Sequence, residues 1–384
     1  MLLTDAQHAL QAQARAFALD EVLPVANELD PQHAEIPQAL LERLAELGYF
    51  GLTIPKELGG MGLGVTEYCL VSEELARAWM SVGSVIGYTN GSTTAIAGHP
   101  RERELVARMA TGEFLAAFAL TEPGAGSDAA NVVCAAQRDG DEWVITGRKR
   151  WCGYARNADA ILLYARTSPA PERGRSRGIS AFLIEKERGA FPAGLTGSAI
   201  PKIGYFGITS YQLDFDGLRL PAGALVGEEG AAFGGGMDEL NKARVQTAAR
   251  SIGCARGALE DATAYARNRR QFGKALDEFQ AVRFRLAEMA TRIEAARSLT
   301  YTAAELLDSG SAAITEASMA KLFAAEMAEW VTSEALQILG GNGYTTEHAV
   351  ERYWRDARLT RIIEGTSEIQ KHIIARRILD GSGT

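Results

Sequence analysis

The chain has 384 residues, of which 47% are hydrophobic and 23% charged, an ordinary globular composition that suffices for two or three domains or one large multilayer fold. A formal net charge of −8 argues against a nucleic-acid partner, because no basic excess is present to neutralise phosphates. The four cysteines are scattered without a Cys-x-x-Cys pair, and no apolar run reaches the roughly 20 residues that span a bilayer. We therefore expect no bound metal and no membrane partner and, with no secretory signal visible, a cytoplasmic protein.

The first third of the chain is predicted to be helical. Residues 4–7 read Thr-Asp-Ala-Gln, which fits a capping box, and apolar residues then follow at helical spacing. Further helices are predicted at residues 37–48, 66–78, 82–97 and 101–110. A glycine-dense loop at residues 59–64 has no strand before it, so it does not qualify as a dinucleotide-binding fingerprint.

The pattern changes at Gly112 to short β-rich runs separated by Gly, Pro and Asp turns. Strands are predicted at residues 114–121, 143–146, 160–165, 179–184 and 211–215. No helix of ten or more residues is predicted between these strands. This disfavours a parallel βαβ sheet and favours an antiparallel barrel or sandwich.

From Gly230 onward the chain is predicted to be helical again, with long helices at residues 279–307 and 315–339 and a glycine-rich break at 340–343. The order of elements predicts an α+β fold in three parts. These are an N-terminal α-helical domain (1–114), a middle antiparallel β-domain (115–228) and a C-terminal α-helical bundle domain (229–384).

The most promising site lies at residues 364–368, which read Glu-Gly-Thr-Ser-Glu. A carboxylate is followed by a glycine, which permits a sharp turn or the close approach of a ligand. Thr366 or Ser367 can then cap a helix whose free N–H groups form an anion site. An ordinary helix N-terminus with an acidic first turn would have the same sequence.

Three other segments are candidates. Residues 120–128 (Leu-Thr-Glu-Pro-Gly-Ala-Gly-Ser-Asp) form a turn whose N–H groups and hydroxyls could hold carbonyl or phosphate oxygens. Trp151, which ends a strand, could pack on a flat ring or fill the core. Residues 269–273 (Arg-Arg-Gln-Phe-Gly) could bind an anion or face water.

Together and in this order, these segments resemble the acyl-CoA dehydrogenases, a flavoprotein family. The resemblance covers nearly the whole chain and includes Phe-Asp-Gly-Leu-Arg-Leu-Pro at 215–221, Gly-Glu-Glu-Gly at 227–230, Gln-Ile-Leu-Gly-Gly-Asn-Gly-Tyr at 337–344 and Tyr-Trp-Arg-Asp-Ala-Arg at 353–358. It implies two helical domains flanking a β-domain, with a four-helix bundle at the C-terminus. It also implies bound FAD and a homotetramer built as a dimer of dimers, in which a neighbouring subunit completes each flavin site.

By motif match, the resemblance assigns roles to individual residues. The residues implied to line the flavin are Leu120, Thr121, Ser127, Trp151, Cys152 and Gly153. Those implied to reach the FAD of the partner subunit are Arg269, Phe272, Gln280, Gln337, Gly340 and Gly341. Thr366 and Glu368 would lie near the pyrophosphate of the dinucleotide. The substrate would contact Ser127, Asn241, Arg244 and Gly365.

The resemblance also implies the chemistry. Glu364 would remove the α-proton of an acyl-CoA thioester while hydride passes from the β-carbon to the flavin, giving the trans-2-enoyl product. The backbone N–H of Glu364 would help to stabilise the thioester oxygen as charge develops there. Some members carry the base just before the matching arginine, where this chain has Ala243, so Glu364 has no competitor. The expected electron acceptor is an electron-transfer flavoprotein.

Two departures from the family pattern affect the expected function. Gly153 stands where the family usually has Thr or Ser, which leaves only a backbone N–H near the reactive flavin nitrogen. The helix at residues 88–94 is polar. It either faces other helices or lines the pocket, and in the second case it favours a short, branched or functionalised acyl group.

Three alternatives remain open. The enzyme could use oxygen, as acyl-CoA oxidases and the flavin monooxygenases of this fold do. It could take its acyl group from an acyl-carrier protein in a biosynthetic pathway. The chain could also be a flavin-binding scaffold without turnover, although Glu364 and Arg244 argue against that reading.

Overall fold

The computed structural model describes residues 3–91, 93–170, 176–233 and 237–381. Its first part is helical, as predicted, with helices α1 (Asp5–Phe17), α2 (Leu23–Leu29), α3 (Gln38–Glu46), α4 (Val65–Ala78), α5 (Met80–Val85), α6 (Gly87–Asn90) and α7 (Glu102–Ala110). The capping box at the start of α1 is confirmed, because the Thr4 hydroxyl accepts the Gln7 N–H at 3.2 Å. The single helix predicted at residues 82–97 is wrong: α5 ends at Val85, and the short α6 and a 3₁₀ turn follow.

The middle part is one sheet of eight strands: β1 (Ala116–Ala119), β2 (Ala135–Asp139), β3 (Glu142–Gly153), β4 (Ala160–Arg166), β5 (Ile179–Glu185), β6 (Leu195–Ala199), β7 (Ser210–Pro221) and β8 (Leu225–Val226). The strand order is β6-β7-β3-β2-β4-β5-β8, and β1 also pairs with β4. The predicted antiparallel sheet is wrong in one respect, because β1 and β2 both run parallel to β4. The β2–β3 hairpin turns the chain back before β4, which brings β4 alongside β1 in the same direction.

The last part comprises α8 (Met237–Asn268), a two-stranded hairpin of β9 (Arg270–Gln271) and β10 (Lys274–Ala275), and then α9 (Gln280–Asp308), α10 (Ile314–Leu339), α11 (Val350–Thr360) and α12 (Ser367–Leu379). Its core is rich in alanine and also includes residues of α4. The helical parts therefore share one hydrophobic core across the sheet-bearing middle of the chain. The division of the chain at residues 114 and 228 stays a prediction.

Two glycines set how closely α8 packs on α4. A Cβ placed on Gly253 would lie 2.1 Å from the Glu73 carbonyl oxygen, and one on Gly257 would lie 2.5 Å from the Arg77 carbonyl oxygen. Glycine inside a helix costs about 1 kcal/mol relative to alanine. Here the glycines permit backbone-to-backbone contact, which no larger residue would allow, and they fix α8 against the N-terminal helices.

The four described ranges contain neither a candidate membrane span nor a candidate metal site. Within them, no helix is both long and apolar enough to cross a bilayer. The same residues bring together no group of three or more His, Cys, Asp or Glu side chains that could hold a metal ion.

Candidate active site

Glu364 lies in the turn between α11 and α12, and its side chain is exposed. Its φ of 53° is in the left-handed region, which non-glycine residues adopt only at a cost. Gly365 follows with a φ of 86°, a value that glycine tolerates. Thr366 then caps α12, because its hydroxyl accepts the Ile369 N–H at 3.3 Å. The chain thus presents a carboxylate at a strained turn directly before a helix N-terminus.

A buried lysine on α10 holds this turn in place. Lys321 on α10 is 0% exposed, and its ammonium donates a hydrogen bond of 2.6 Å to the Gly365 carbonyl oxygen. The Gln370 amide donates to the same oxygen at 2.9 Å. Burial lowers the pKa of Lys321 to about 8, and the negative charge of Glu364 opposes that shift. The Glu364–Gly365 turn is therefore hydrogen-bonded to a cation that is buried in the helical core.

Arg244 on α8 provides a second buried cation near the same carboxylate. Burial lowers the pKa of this guanidinium, while the charge of Glu364 raises it. Arg244 donates to Asn241 at 2.7 Å, and the Asn241 amide donates to the Ala312 carbonyl oxygen at 2.8 Å. The Nε of Arg244 is buried without a hydrogen-bond partner among the described residues. Asn241 thus orients Arg244 while one donor is left for a ligand.

A buried ion pair anchors the loop at residues 120–128. The ammonium of Lys149 lies 2.7 Å from the Glu122 carboxylate and donates at 2.9 Å to the Leu120 carbonyl oxygen. Glu122 also accepts the N–H groups of Val133 and Cys134, at 2.8 and 2.9 Å. Its two oxygens therefore have partners, as a buried charge requires. Leu120 and Thr121 are half-buried and Ser127 is exposed, which leaves the outer part of the loop open to a ligand.

A β-bulge brings Trp151 to the surface. Between the pairs Lys149–Leu213 and Cys152–Tyr211, β3 has two residues where β7 has one. Trp151 takes a φ of 64° there, and its side chain is 52% exposed. Bulges redirect side chains in this way, often beside active sites. An exposed indole supported by the Arg150 guanidinium, 5.2 Å from its ring centre, is a suitable surface for a flat ring.

Next to this bulge, Cys152 is buried and Gly153 faces a tyrosine. A Cβ on Gly153 would lie 2.5 Å from the hydroxyl oxygen of Tyr88, so the Tyr88 hydroxyl fills the space that a larger residue would need. A phenol from α6 thus lies beside Gly153, and the expectation that only a backbone N–H remains near the reactive flavin nitrogen stays a prediction.

The polar segment at residues 88–94 has a mixed role. Thr89 donates to the Phe50 carbonyl oxygen at 2.6 Å, and the Asn90 amide donates to the Tyr49 carbonyl oxygen at 2.8 Å. These two side chains face neighbouring elements rather than a pocket, whereas Tyr88 faces Gly153. Position 92 of this segment lies outside the described residues.

The residues expected to reach a partner subunit form an exposed group. Arg269 and Phe272 lie in or beside the β9–β10 hairpin, and Phe272 is 94% exposed with a φ of 51°. The other members of the group are also exposed: Gln280, Gln337, Gly340 and Gly341. Tyr265 connects the start of the β9–β10 hairpin with the segment at residues 337–344. Its carbonyl oxygen accepts the Arg269 N–H, and its hydroxyl oxygen accepts a hydrogen bond from the Asn342 amide.

Arg244, predicted to contact the substrate, and Arg269, predicted to reach a partner subunit, are thus separated along α8. Arg269 follows Arg244 by 25 residues, which is about 37 Å along a helix that rises 1.5 Å per residue. Arg269 therefore faces a different region from the one that Glu364 and Arg244 face in the same chain. Glu368 lies in the first turn of α12, exposed, and its pKa is lowered chiefly by hydrogen bonds to its own N–H and to Thr366.

Sequence reasoning missed Lys321, the Lys149–Glu122 pair and Arg250, a buried arginine on α8. Lys321 had a signal, because it lies on the helix face of α10 that carries Ala317, Ala320 and Ala324. A charged residue on an alanine face requires a specific partner. Lys149 and Glu122 are 27 positions apart, and nothing local connects them.

Comparison with known proteins agrees with this geometry. Models of the acyl-CoA dehydrogenase N-terminal, middle and C-terminal domains match residues 4–113, 117–218 and 234–379. The chain belongs to the acyl-CoA dehydrogenase family. It is an oxidoreductase that uses FAD to dehydrogenate acyl-CoA thioesters.

Individual acyl-CoA dehydrogenases are similar over nearly the whole chain. A (2S)-methylsuccinyl-CoA dehydrogenase of Cereibacter sphaeroides is 42% identical over 97% of this chain and 69% of its own length. A short-chain specific acyl-CoA dehydrogenase of Bos taurus is 38% identical over 98% of this chain and 91% of its own. The structure of butyryl-CoA dehydrogenase from Megasphaera elsdenii has a TM-score of 0.92 at 34% identity and covers 99% of both chains.

Proposed function

We propose that this acyl-CoA dehydrogenase acts on a short acyl-CoA and that Glu364 is its catalytic base. The observation that carries the proposal is the Glu364 turn: an exposed carboxylate in a left-handed backbone conformation, fixed by buried Lys321. Non-glycine residues in such conformations are concentrated at functional sites, because the surrounding structure must hold them there.

The residues around this turn have separable roles. Glu364 takes the α-proton, and the electron pair of that C–H bond becomes part of the new carbon–carbon double bond. FAD, when bound, supplies the acceptor for the hydride that leaves the β-carbon. Lys321 and Gln370 hold the Gly365 carbonyl oxygen and so fix the turn that carries Glu364, whose N–H would donate to the thioester oxygen. The free Nε of Arg244 is available to the substrate.

The chain has suitable groups for FAD. Exposed Trp151 offers a flat surface. The loop held by the Lys149–Glu122 pair, which carries Leu120, Thr121 and Ser127, joins the same strand, because the Arg150 N–H donates to the Thr121 carbonyl oxygen at 2.8 Å. The Ser367 hydroxyl, buried in the first turn of α12, has no partner among the described residues and suits a phosphate oxygen at a helix N-terminus.

We also assign the exposed group around Tyr265 to the FAD site of a second subunit in a homotetramer. The distance of about 37 Å from Arg244 to Arg269 along α8 supports this assignment. So does the 94% exposure of Phe272, an aromatic side chain that a subunit interface would cover. An electron-transfer flavoprotein is the proposed acceptor, and the cytoplasm is the proposed location.

Anaerobic titration of the purified holoenzyme with short acyl-CoAs tests the base. Bleaching of the visible flavin band in the wild type, slowed by roughly 10²–10⁴-fold in Glu364→Gln, is the expected result, because the amide cannot accept the proton. Gln is nearly isosteric with Glu, so unchanged FAD content serves as the control for folding. Bleaching at the wild-type rate in Glu364→Gln would show that another group is the base.

Two rivals predict different results when the thioester or the electron acceptor is changed. A carrier-linked enzyme would be bleached by acyl-carrier-protein thioesters and hardly by the CoA esters. An oxygen-using enzyme would be reoxidised by air faster than by an electron-transfer flavoprotein.

A further inference from the structure

Arg250 is a buried cation that the proposed mechanism does not use. It lies on α8, six residues after Arg244, and is 5% exposed. Its two terminal nitrogens donate to hydroxyl oxygens, one to Ser84 and one to Thr247, each at 2.6 Å. Its Nε has no hydrogen-bond partner, and no acidic side chain forms an ion pair with it within 4.0 Å in the part of the chain that the structure describes.

This arrangement leaves the charge of Arg250 without an adjacent carboxylate in the part of the chain that the structure describes. A guanidinium has five N–H donors, and a fully buried one is normally paired with a carboxylate because an isolated charge is costly to desolvate. Neutral hydroxyls satisfy only two of the five donors here. Arg352, another buried arginine with a partnerless Nε, also donates to neutral groups, the Asn27 side chain and the Ala78 carbonyl oxygen.

Arg250 and Glu364 lie close enough to one tyrosine for both charges to act on it. Burial raises the pKa of the Tyr88 phenol well above its ordinary value, and the charge of Arg250 opposes that rise while the charge of Glu364 adds to it. Burial also raises the pKa of Tyr205. The charge of Arg250 opposes this rise, and the charges of Asp356 and Glu364 add to it. The carboxylate of Asp356 is already engaged, since it accepts the Tyr205 N–H at 2.6 Å.

Lys321 and the charged groups that act on it comprise three cations and two acids. Arg244, Arg250 and Lys321 are buried cations that influence one another or act on the same groups, and Glu364 is the acid common to them. Glu368 also acts on Lys321, but its side chain is exposed. One further negative charge beside Arg250 would make the numbers of positive and negative charges equal.

The position of Arg250 indicates where that charge would come from. Six residues along α8 correspond to an axial rise of about 9 Å, which is comparable to the length of a short acyl group. Glu364 is exposed and marks the open side through which the CoA moiety extends, whereas Arg250 is enclosed by Ser84 of α5 and by α8 itself. Arg250 is therefore at the closed end, opposite the thioester.

We propose that Arg250 binds a carboxylate at the far end of the acyl group, so that the substrate class is the CoA monothioester of a short dicarboxylic acid. The proposal rests on the function proposed above. The free Nε–H and the remaining N–H groups donate to the two carboxylate oxygens, and Ser84 and Thr247 hold the guanidinium in place.

Matched substrate pairs test this proposal without any variant. Glutaryl-CoA is compared with pentanoyl-CoA, and methylsuccinyl-CoA with the methylbutanoyl-CoA of the same branching, so that each pair differs only in carboxylate against methyl. We expect the wild-type holoenzyme to favour a carboxylated member by roughly 30-fold or more in kcat/KM, because removing one partner of a buried, hydrogen-bonded charge pair costs at least that much.

The variant Arg250→Gln keeps hydrogen-bonding capacity and removes the charge. We expect it to lose the preference, and the control Arg352→Gln, a buried arginine outside the cavity, to retain it. Dissociation constants measured in the Glu364→Gln background, where turnover is blocked, should show the same loss.

A wild-type preference for the methyl-terminated members, or an unchanged ratio in Arg250→Gln, would overturn the proposal while leaving the dehydrogenase function intact. Failure of every thioester to bleach the flavin would instead overturn the proposed function.

Discussion

The contact between Tyr88 and Gly153 makes a quantitative prediction about packing beside the proposed flavin site. In the wild type, Gly153→Ala would place a methyl group 2.5 Å from the Tyr88 hydroxyl oxygen, well inside normal contact distance. The backbone at Gly153 is not left-handed, so the substitution causes no conformational strain of its own. In Tyr88→Phe the hydroxyl is absent, and the nearest ring atom, Cζ, is 3.8 Å away, an ordinary contact.

The magnitude follows from two opposing effects. Overpacking costs about 1–3 kcal/mol, and replacing glycine by alanine at an unstrained position recovers about 0.4–1 kcal/mol through the unfolded chain. We therefore expect Gly153→Ala to destabilise the wild type by about 1–2 kcal/mol and to be neutral or slightly stabilising in Tyr88→Phe. The coupling energy in the double-mutant cycle should be about 1–3 kcal/mol.

Thermal unfolding of the four FAD-loaded proteins at one scan rate measures this coupling. At about 2.1 cal/mol/K per residue, each kcal/mol shifts the Tm of a chain of 384 residues by about 1 °C. Gly223→Ala is the matched control, because a Cβ there meets nothing within 4 Å. If the effects of Gly153→Ala and Tyr88→Phe are additive, the hydroxyl does not occupy that space and the reasoning is refuted.

Two further predictions concern buried lysines. Lys149→Met should cost about 3–5 kcal/mol and reduce FAD content, because it leaves the Glu122 carboxylate buried without a cation; an unchanged Tm would contradict this. Lys321 has a pKa of about 8 in the folded protein against about 10.4 when unfolded, so between these values the unfolded state binds more protons and stability rises with pH. The stability of the wild type relative to Lys321→Met should therefore increase from pH 8 to about pH 10.4, by at most about 3 kcal/mol, as measured by chemical denaturation at each pH. A flat difference would refute the assignment of that titration to Lys321.

Periodicity predicted the long helices well because each buries one continuous face. The helix predicted at residues 315–339 is observed at Ile314–Leu339, and the one predicted at 279–307 is Gln280–Asp308. The short polar strands β2 and β6 were missed because their sequences, Ala-Ala-Gln-Arg-Asp and Leu-Thr-Gly-Ser-Ala, carry no apolar alternation. The parallel pairing of β1 with β4 depends on where the chain returns, which no local pattern encodes.

The candidate site shows the same limit. The Glu364 turn was predicted because its signal is local: an acid, a glycine and a capping threonine in sequence. Arg250 donates to the hydroxyl of Ser84, which is 166 positions away in the sequence, and not to a carboxylate. The space beside Gly153 is filled by the hydroxyl of Tyr88, from another distant segment. Such features arise from the meeting of distant segments, so only the folded structure reveals them.

The close contact of α8 with α4 through Gly253 and Gly257 also bears on how this enzyme could change its substrate during evolution. Because carbonyl oxygens of α4 occupy the space beside both glycines, α8 cannot slide or rotate to enlarge the cavity without breaking backbone contacts. Selection for a new acyl group must then act through individual side chains on a helix that stays in place. A single codon change at Arg250 would alter the charge of the closed end while Arg244, nearer the thioester, kept its position.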